Sequence, residues 1–375
     1  MKPIQSRSRH ARGVTLIELM VGLAVGMAVT LVVAQTVAFY EGQKRTTTDG
    51  VDAQVNGTLA LYTVQRDVQM AGYGLTTSAF GIGCPIKAKR CGVDFTFSLV
   101  PARIEDGASG APDTINFMMS DKLFAVPIRI TVDHPKQAAN FFVHSALGVV
   151  EGDLLIVVPK TIDANNWCSV INATKDGGNG NGGGGGQGQD QVLHNSGGTG
   201  PWNQAGGQTI FPDDGYKEGS YMLNVGQLIR KTYSIANNSL QVEAFNTAAA
   251  AVGPPEALYP HIVNLQAMYG KDTDGNGSVD VWNNVSPADL DNAGWSQVIA
   301  MRIALVARSG TYEKDVVTFA QPTWDVGVAR PVAGSATCGA SKCVTLKVDM
   351  QADWNHYRYK VYETVVPLRN MLWKS

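Results

Sequence analysis

The start of the chain divides into a basic leader and a long apolar run. Four positive charges lie in the leader, at Lys2, Arg7, Arg9 and Arg12. From Val14 to Ala34 the only ionisable side chain is Glu18, and as a helix this stretch would be about 31 Å long, enough to cross a bilayer. A charge at the centre of a membrane helix costs roughly 2.5–3.5 kcal/mol and usually marks a function. The pattern predicts a membrane helix over residues 14–34 that keeps one carboxylate.

An amphipathic pattern follows the polar cluster at residues 41–45. Apolar side chains recur at spacings of four and three, on one stripe of a helix, at Val51, Val55, Leu59 and Tyr62. Gly72 and Gly74 then predict the end of that helix. We therefore expect one long N-terminal helix over residues 14–72, with its amphipathic half against a globular head.

The head, residues 73–375, shows strand and loop patterns. Apolar runs that predict strands lie at residues 114–119, 153–158 and 297–308, and the second is apolar enough for a central strand. Tyr357, Tyr359 and Val361 alternate and share one face. The glycine-rich stretch at residues 177–189 predicts a flexible loop that divides the head into two lobes. The expected fold class is α+β, an antiparallel sheet with long loops packed on the long helix.

The junction of leader and apolar run, residues 12–23, has the sequence RGVTLIELMVGL. It resembles the signal of type IV prepilins, G-[F/M]-T-L-I-E-L-M-V. In that family a membrane peptidase cuts after the glycine and methylates the new N-terminus, and the glutamate pairs with the N-terminal amine of an adjacent subunit. The resemblance implies a leader over residues 1–13, cleavage between Gly13 and Val14, N-methylation of Val14 and an assembly role for Glu18. Val14 stands where Phe or Met is usual, a departure that bears on methylation.

An ordinary secretory signal or single-pass anchor is the alternative interpretation. A secretory signal would end in a small-residue site after about 7–15 apolar residues, whereas the polar residues Thr15 and Glu18 lie at the front of this segment. Gly22 and Gly26 form a G-x-x-x-G pattern that permits close helix packing, although glycine is common in membrane helices generally.

Two further segments resemble the minor pilin family PilW. Residues 64–74 read VQRDVQMAGYG and residues 357–373 read YRYKVYETVVPLRNMLW. The resemblance implies a pilin-like fold and a low-abundance pilin in a priming or tip complex with other minor pilins and a tip adhesin, which helps extend the major pilin. It also implies a single-pass inner-membrane protein with a periplasmic head that later enters the pilus at the cell surface.

Charge and motif content argue against other classes. Removing residues 1–13 moves the formal net charge from −2 to −6, and no basic stripe appears, so nucleic-acid binding is not expected. The six histidines are scattered and no nucleophile, zinc-protease or phosphate-loop motif is present. We expect neither an enzyme nor an organic cofactor, and a surface or hydrogen-bonded core position for His134 and His356.

Five cysteines lie at positions 84, 91, 168, 338 and 343. Disulfides persist in the periplasm. Cys338 and Cys343 are close enough to close a small loop. Cys84 pairs with Cys91, or one of the two pairs with Cys168, and the odd count leaves one thiol over or one intermolecular bond.

One segment contains the residue types of a metal-binding loop. Oxygen-bearing side chains occupy positions 1, 3, 5 and 9 of an EF-hand-type loop, which are Asp272, Asp274, Asn276 and Asp280. Gly277 stands at position 6, and Ser278 offers its backbone carbonyl. The pattern predicts a calcium site that orders the loop.

The calcium loop departs from the EF-hand at position 12, where Asn283 replaces the bidentate glutamate. Asp289 or Asp291 is a candidate for the missing carboxylate. The alternative is a polar turn between strands, since Asp, Asn and Gly dominate turns in any case.

Two other functions remain open at this stage. A minor pseudopilin of type II secretion would share the leader, Glu18 and the fold. A membrane-anchored, calcium-dependent adhesive module would share the anchor without a role in assembly, and its leader would not be cut after Gly13.

Overall fold

The computed structural model describes residues 13–76, 81–90, 92–122, 126–177, 190–195, 200–203, 209–247, 251–328, 332 and 334–372. Residues 1–12, Cys91 and residues 178–189 of the predicted glycine-rich loop lie outside the described residues. The described chain is one long helix followed by a head of strands, the α+β architecture that the sequence predicts.

Helix α1 runs over Leu16–Met70, 55 residues, and begins after the N-cap residue Thr15. Its first part, Leu16–Gly42, is long and apolar enough to cross a membrane, and none of the side chains in that apolar stretch is buried by the head. This segment extends past the predicted end at Ala34, because the apolar side chains continue through Val37, Phe39 and Tyr40.

The second half of α1 packs on the head through small and β-branched residues. Buried along this face are Ala53, Gly57, Ala60, Val64 and Val68. A Cβ on Gly57 would lie 2.4 Å from a ring carbon of Tyr362, so the helix and the sheet are in close contact there.

The apolar stripe predicted from the spacing is not this packing face. Its four side chains are between 46% and 63% exposed, at Val51, Val55, Leu59 and Tyr62. Periodicity locates the larger apolar side chains, whereas the sheet lies against the face where small side chains let the two backbones approach.

Two six-stranded sheets form most of the head, with strands numbered in chain order. The first has the order β2 (Val93–Ser98), β1 (Pro85–Arg90), β8 (Cys168–Asn172), β7 (Leu154–Val158), β10 (Tyr221–Gly226) and β5 (Ile128–Arg129). The second has the order β13 (Ala251–Val252), β12 (Ser239–Asn246), β11 (Leu228–Ala236), β4 (Thr114–Ser120) and β3 (Ala102–Glu105), with β14 (Glu256–Pro260) also paired to β12. Strand β7 is fully buried between β8 and β10, which confirms the predicted central strand.

Helix α1 lies across a third, antiparallel sheet. Its order is β16 (Val281–Asn283), β15 (Ile262–Lys271), β17 (Val298–Arg308) and β21 (Tyr359–Pro367), and β17 matches the strand predicted at residues 297–308. A small sheet of β18 (Thr323–Gly327), β20 (Ser341–Thr345) and β19 (Ser335–Cys338) covers its other face. The remaining elements are the pair β6 (Asn140–Phe142) and β9 (Gln191–Leu193), helices α2 (Asn292–Ser296) and α3 (Arg369–Leu372), and 3-10 turns at Ala108–Gly110 and Trp354–His356.

Three groups of buried apolar side chains join these layers. The largest includes Val64 of α1 and Trp295 of α2, the second surrounds Phe141 behind the first sheet, and the third lies between the third and fourth sheets. Tyr359 and Val361, predicted to share a face, both pack against the third group. Each fully buried large apolar side chain stabilises the fold by roughly 1.5–3 kcal/mol.

Two disulfides are present among the described residues, Cys84–Cys168 and Cys338–Cys343. The second is the predicted short loop. Of the two predicted alternatives, the one in which Cys84 or Cys91 pairs with Cys168 is confirmed for Cys84, and the pairing of Cys84 with Cys91 is therefore wrong. Cys168 instead begins β8, the parallel neighbour of β1, with its Cα 6.0 Å from that of Cys84.

Candidate functional site

The predicted cleavage site lies in exposed, non-helical backbone directly before α1. Gly13 and Val14 are both exposed, and the side chain of Val14 is 72% accessible. Thr15 has an extended backbone, with φ −75° and ψ 151°. Exposed segments outside helices are the ones that peptidases reach. Cleavage after Gly13 and methylation of Val14 stay predictions, and the local backbone suits them.

Glu18 takes part in a hydrogen-bonded cap at the start of α1. Its Oε2 accepts hydrogen bonds from the N–H of Thr15 at 3.2 Å and from the Thr15 hydroxyl at 3.1 Å. The N–H of Glu18 donates to Thr15 Oγ1 at 3.3 Å. This capping box satisfies amide groups that a helix start leaves open. The sequence analysis missed it, although Thr-x-x-Glu before an apolar run is its signature.

The cap holds the carboxylate of Glu18 against Thr15, the residue after Val14. Cleavage before Val14 would therefore create a charged amine one residue away from the group that Glu18 already contacts. Both Thr15 and Glu18 are exposed, so the same carboxylate is open to an amine from another chain.

Gly22 and Gly26 lie on the exposed membrane segment. A Cβ added at either position would meet no atom of the described residues within 4 Å. Close packing of helices at this pattern therefore has to come from a second chain, and it stays a prediction.

Asp67 fastens the second half of α1 to the head. Its Oδ2 accepts hydrogen bonds from Lys231 Nζ at 2.8 Å and from the Tyr233 hydroxyl at 2.6 Å, both on β11. Burial, reinforced by the Asp67 carboxylate, raises the pKa of Tyr233, so the phenol remains a donor. Charge-assisted bonds of this kind are stronger than neutral ones, and they set the rotation of α1 about its axis.

The end of α1 is closed by the last part of the chain. Gly72 has φ 79°, a left-handed conformation that favours glycine. Its N–H donates to the carbonyl of Met118 at 2.8 Å. Asn370 Nδ2 donates to the carbonyls of Ala71 at 3.0 Å and Met70 at 3.3 Å. The two segments that resemble PilW, near residue 70 and near residue 370, are thus in direct contact.

The acidic loop connects β15 to β16. Asp272 accepts hydrogen bonds from three backbone amides, those of Gly275, Asn276 and Gly277, at 2.7–3.1 Å. The amide of Gly277 in particular holds the pKa of Asp272 below its usual range. Carboxylate oxygens of Asp272, Asp274 and Asp280 lie within 4.8 Å of one another. Such a set of hard oxygens matches what calcium takes as ligands, although exposed acidic groups also cluster without an ion.

Neither Asp289 nor Asp291 completes this loop, so that part of the prediction is wrong. Asp289 accepts a hydrogen bond from Ser98 at 2.6 Å and pairs with Arg103. Asp291 caps α2 by accepting from the N–H of Gly294 at 2.8 Å. Asp289 is therefore engaged with Ser98 and Arg103, and Asp291 with the start of α2.

A pair of histidines lies in the second apolar group. His134 and His194 are buried, with their Nε2 atoms 3.0 Å apart, and His134 stacks on Phe141 with ring centres 3.6 Å apart. Burial lowers the pKa of His134 to about 4 and of His194 to about 3. One neutral ring donates to the other, so His134 is a hydrogen-bonded core residue, as expected. His356 donates from Nδ1 to the carbonyl of Glu313 at 2.8 Å.

We expect acid to weaken the head through this histidine pair. An unfolded histidine takes up a proton near pH 6.5, while the folded rings do so only near pH 4 and pH 3. Stability is therefore complete above pH 6.5 and is lost as the pH falls towards 4, by on the order of 5 kcal/mol at pH 4.5 for the two rings together. The check is denaturant unfolding of the full chain in non-ionic detergent at pH 7 and pH 4.5.

The matched comparison is the double variant His134→Phe and His194→Phe, which should lose less stability in acid. Burial raises the pKa of Asp113 to about 7, so this carboxyl opposes the effect over the same range in both proteins and cancels. An equal acid loss in the two proteins would rule out the pair as the cause.

Two family models match the chain. Residues 222–370 match Type IV Pilus-assembly protein W, PilW, and residues 8–34 match the prokaryotic N-terminal methylation motif. The first range contains Lys231, Tyr233 and Asn370, the residues that hold α1, and the second contains Gly13, Val14 and Glu18.

No curated protein sequence matches the chain. Among solved structures, a type IV-like pilin from Thermus thermophilus aligns with 85% of this chain and 96% of its own, at 10% identity and a TM-score of 0.33.

Proposed function

Because residues 222–370 match the PilW model of type IV pilus-assembly proteins and residues 8–34 match the N-terminal methylation motif, we propose that the chain is a minor pilin of the PilW family. In this proposal it acts in the priming or tip complex that starts pilus assembly. The observation that carries the proposal is the division of α1. Its second half is held in the head by Asp67 and Asn370, while none of the apolar stretch within Leu16–Gly42 is buried within the chain.

The proposed sequence of events begins in the inner membrane, with the head in the periplasm. Prepilin peptidase cuts between Gly13 and Val14 and the amine of Val14 is methylated. Glu18 then pairs with the N-terminal amine of an adjacent subunit as the helix leaves the bilayer. Moving the Glu18 carboxylate and the amine into the helical core of a filament costs desolvation free energy. The pair therefore fixes how neighbouring subunits align only if the two groups form a close, well-oriented ion pair.

The proposed partners are other minor pilins, the major pilin and a tip adhesin. The head leaves many apolar residues of α1 exposed, from Val14 to Tyr40 and again at Val51, Val55, Leu59 and Tyr62. Large exposed apolar patches mark interaction surfaces, so this exposure supports assembly with other apolar helices.

A clean deletion of the gene tests this function, with surface pili counted by electron microscopy and exoprotein secretion assayed in the same strain. Loss of pili with intact secretion is the expected result. Normal pili with failed secretion would move the chain to the type II pseudopilus. No change in either would favour an anchored adhesive module and overturn the proposal.

We also propose that the acidic loop binds calcium, with Asp272, Asp274, Asn276, Ser278 and Asp280 as ligands. The support is the mutual proximity of the three carboxylates and the turn around them. A bound cation would relieve their repulsion and order the loop, with no part in catalysis.

Calorimetric titration of the full chain with calcium should show one saturable site that weakens by about tenfold or more in Asp274→Asn, since a ligand charge is lost. Asp214→Asn, an exposed carboxylate outside the loop, should bind as the wild type does. Absence of a saturable site, or equal weakening in both variants, would contradict calcium binding by this loop.

A further inference from the structure

A polar cleft of about 150 Å³ lies where the two six-stranded sheets meet. It is lined on one side by β2 and on the other by one face of β3, β4 and β11. The register places Arg230 opposite Met118 and Arg103 opposite Asn116. Residues 116 and 118 are two apart on β4 and therefore share a face. Two guanidinium groups thus line the same cleft.

The guanidinium of Arg103 is held in place, but not all of its N–H donors have a hydrogen-bond acceptor. Its Nη2 donates to Ser98 Oγ at 3.3 Å and pairs with the Asp289 carboxylate, which Ser98 also contacts. Its Nε is buried and lacks a hydrogen-bond partner. The ion pair with Asp289 fixes where the positive charge lies, while leaving donor capacity unused.

The guanidinium of Arg230 makes no hydrogen bond to any described residue of the chain. It is half-buried, and burial lowers its pKa. Glu105 offers an opposite charge in the same cleft, but its Oε1 already accepts a hydrogen bond from Asn116 Nδ2 at 3.0 Å. A guanidinium carries five N–H donors, so Arg230 brings a partly desolvated cation and open donors to the cleft.

We propose that this cleft binds a compact oxyanion, the phosphate or carboxylate of a small ligand, through the guanidinium of Arg230. Arg103 adds a second positive charge at a fixed position, and Thr96 is also a lining residue. The planar fork of arginine matches carboxylate and phosphate oxygens in pairs. The volume admits a phosphate or the acidic end of a sugar acid and is too small for a folded partner. This site is independent of the assembly role, because Arg230 lies on the opposite face of β11 from Tyr233, which contacts α1.

The test is calorimetric titration of the full chain in non-ionic detergent with inorganic phosphate and, separately, with glucuronate. We expect saturable binding of at least one probe and a loss of affinity of about tenfold or more in Arg230→Gln. Arg129→Gln removes the same charge from an exposed position on β5 and should leave binding unchanged. Binding of either probe or of both supports the site, and the probe that binds shows whether the site takes a phosphate or a carboxylate. Binding of neither overturns it.

A charge-removal variant tests the site in the opposite direction. In Glu105→Gln the amide oxygen still accepts from Asn116, but the negative charge that opposes an anion is gone. Affinity should rise by about threefold or more. A rise here with a fall in Arg230→Gln cannot come from misfolding, because a damaged cleft would lower affinity in both. Affinity that is unchanged or lower in Glu105→Gln would overturn the proposal.

Discussion

Replacing Glu18 with glutamine should exclude the chain from assembled pili while leaving the start of α1 intact. Glutamine keeps an oxygen that accepts from Thr15, so the capping box survives. The negative charge that would meet the amine of an adjacent subunit is lost. We expect the number of copies in sheared pili to fall by about tenfold or more relative to wild type, while the amount in the membrane stays normal. Such a fall corresponds to the loss of an interaction of at least ~1.4 kcal/mol.

The matched control is Thr15→Ala, which removes the hydroxyl of the cap and keeps the charge of Glu18. Loss of an N-cap costs about 1 kcal/mol at the helix start, and incorporation into pili should stay close to wild type. The mass of the mature chain confirms leader removal in both variants. Normal assembly of Glu18→Gln together with failure of Thr15→Ala would show that the cap, and not the charge, is what assembly needs.

Removing the Cys84–Cys168 disulfide should produce the largest loss of stability in the head. The bond joins residues 84 positions apart and lies fully buried beside β1 and β8. Its loss frees a long loop in the unfolded chain, which the chain-entropy relation values at about 4–5 kcal/mol. The double variant Cys84→Ala and Cys168→Ala avoids an unpaired partner and tests this by denaturant unfolding under oxidising conditions.

Removal of Cys338–Cys343 is the comparison, since that bond closes a separation of only 5 residues. The same relation gives about 2 kcal/mol. The difference of about 2–3 kcal/mol between the two double variants is the quantity to measure. Equal losses, or a larger loss from the short loop, would show that loop length does not govern how these bonds stabilise the head.

Local patterns predicted the elements that are long and strongly periodic. The apolar run with a single carboxylate indicated α1, and the runs at residues 153–158 and 297–308 indicated β7 and β17, because burial on both faces demands continuous apolar residues. The motif at residues 12–23 also predicts the cleavage and assembly residues, and these assignments stay predictions.

Contacts between distant segments could not be predicted in this way. The pairing of Cys84 depends on β8 lying next to β1, and the engagement of Asp289 depends on β2 and β3 reaching it. The packing face of α1 was predicted wrongly because spacing shows where large apolar side chains recur, not which face a sheet approaches. Gly57, which lies against Tyr362, has no side chain and so adds nothing to the periodicity of apolar side chains.

The contact between Asn370 and the end of α1 has a consequence for biosynthesis. The N-terminal helix leaves the ribosome first, whereas its carbonyl cap at Met70 and Ala71 comes from a residue 300 and 299 positions later. Strand β21, which packs on the helix, is translated only shortly before that residue. The membrane segment is therefore made without its final cap until about 300 further residues have been synthesised, and a chain that stops before β21 would keep the membrane helix while lacking the contacts that hold the second half of α1.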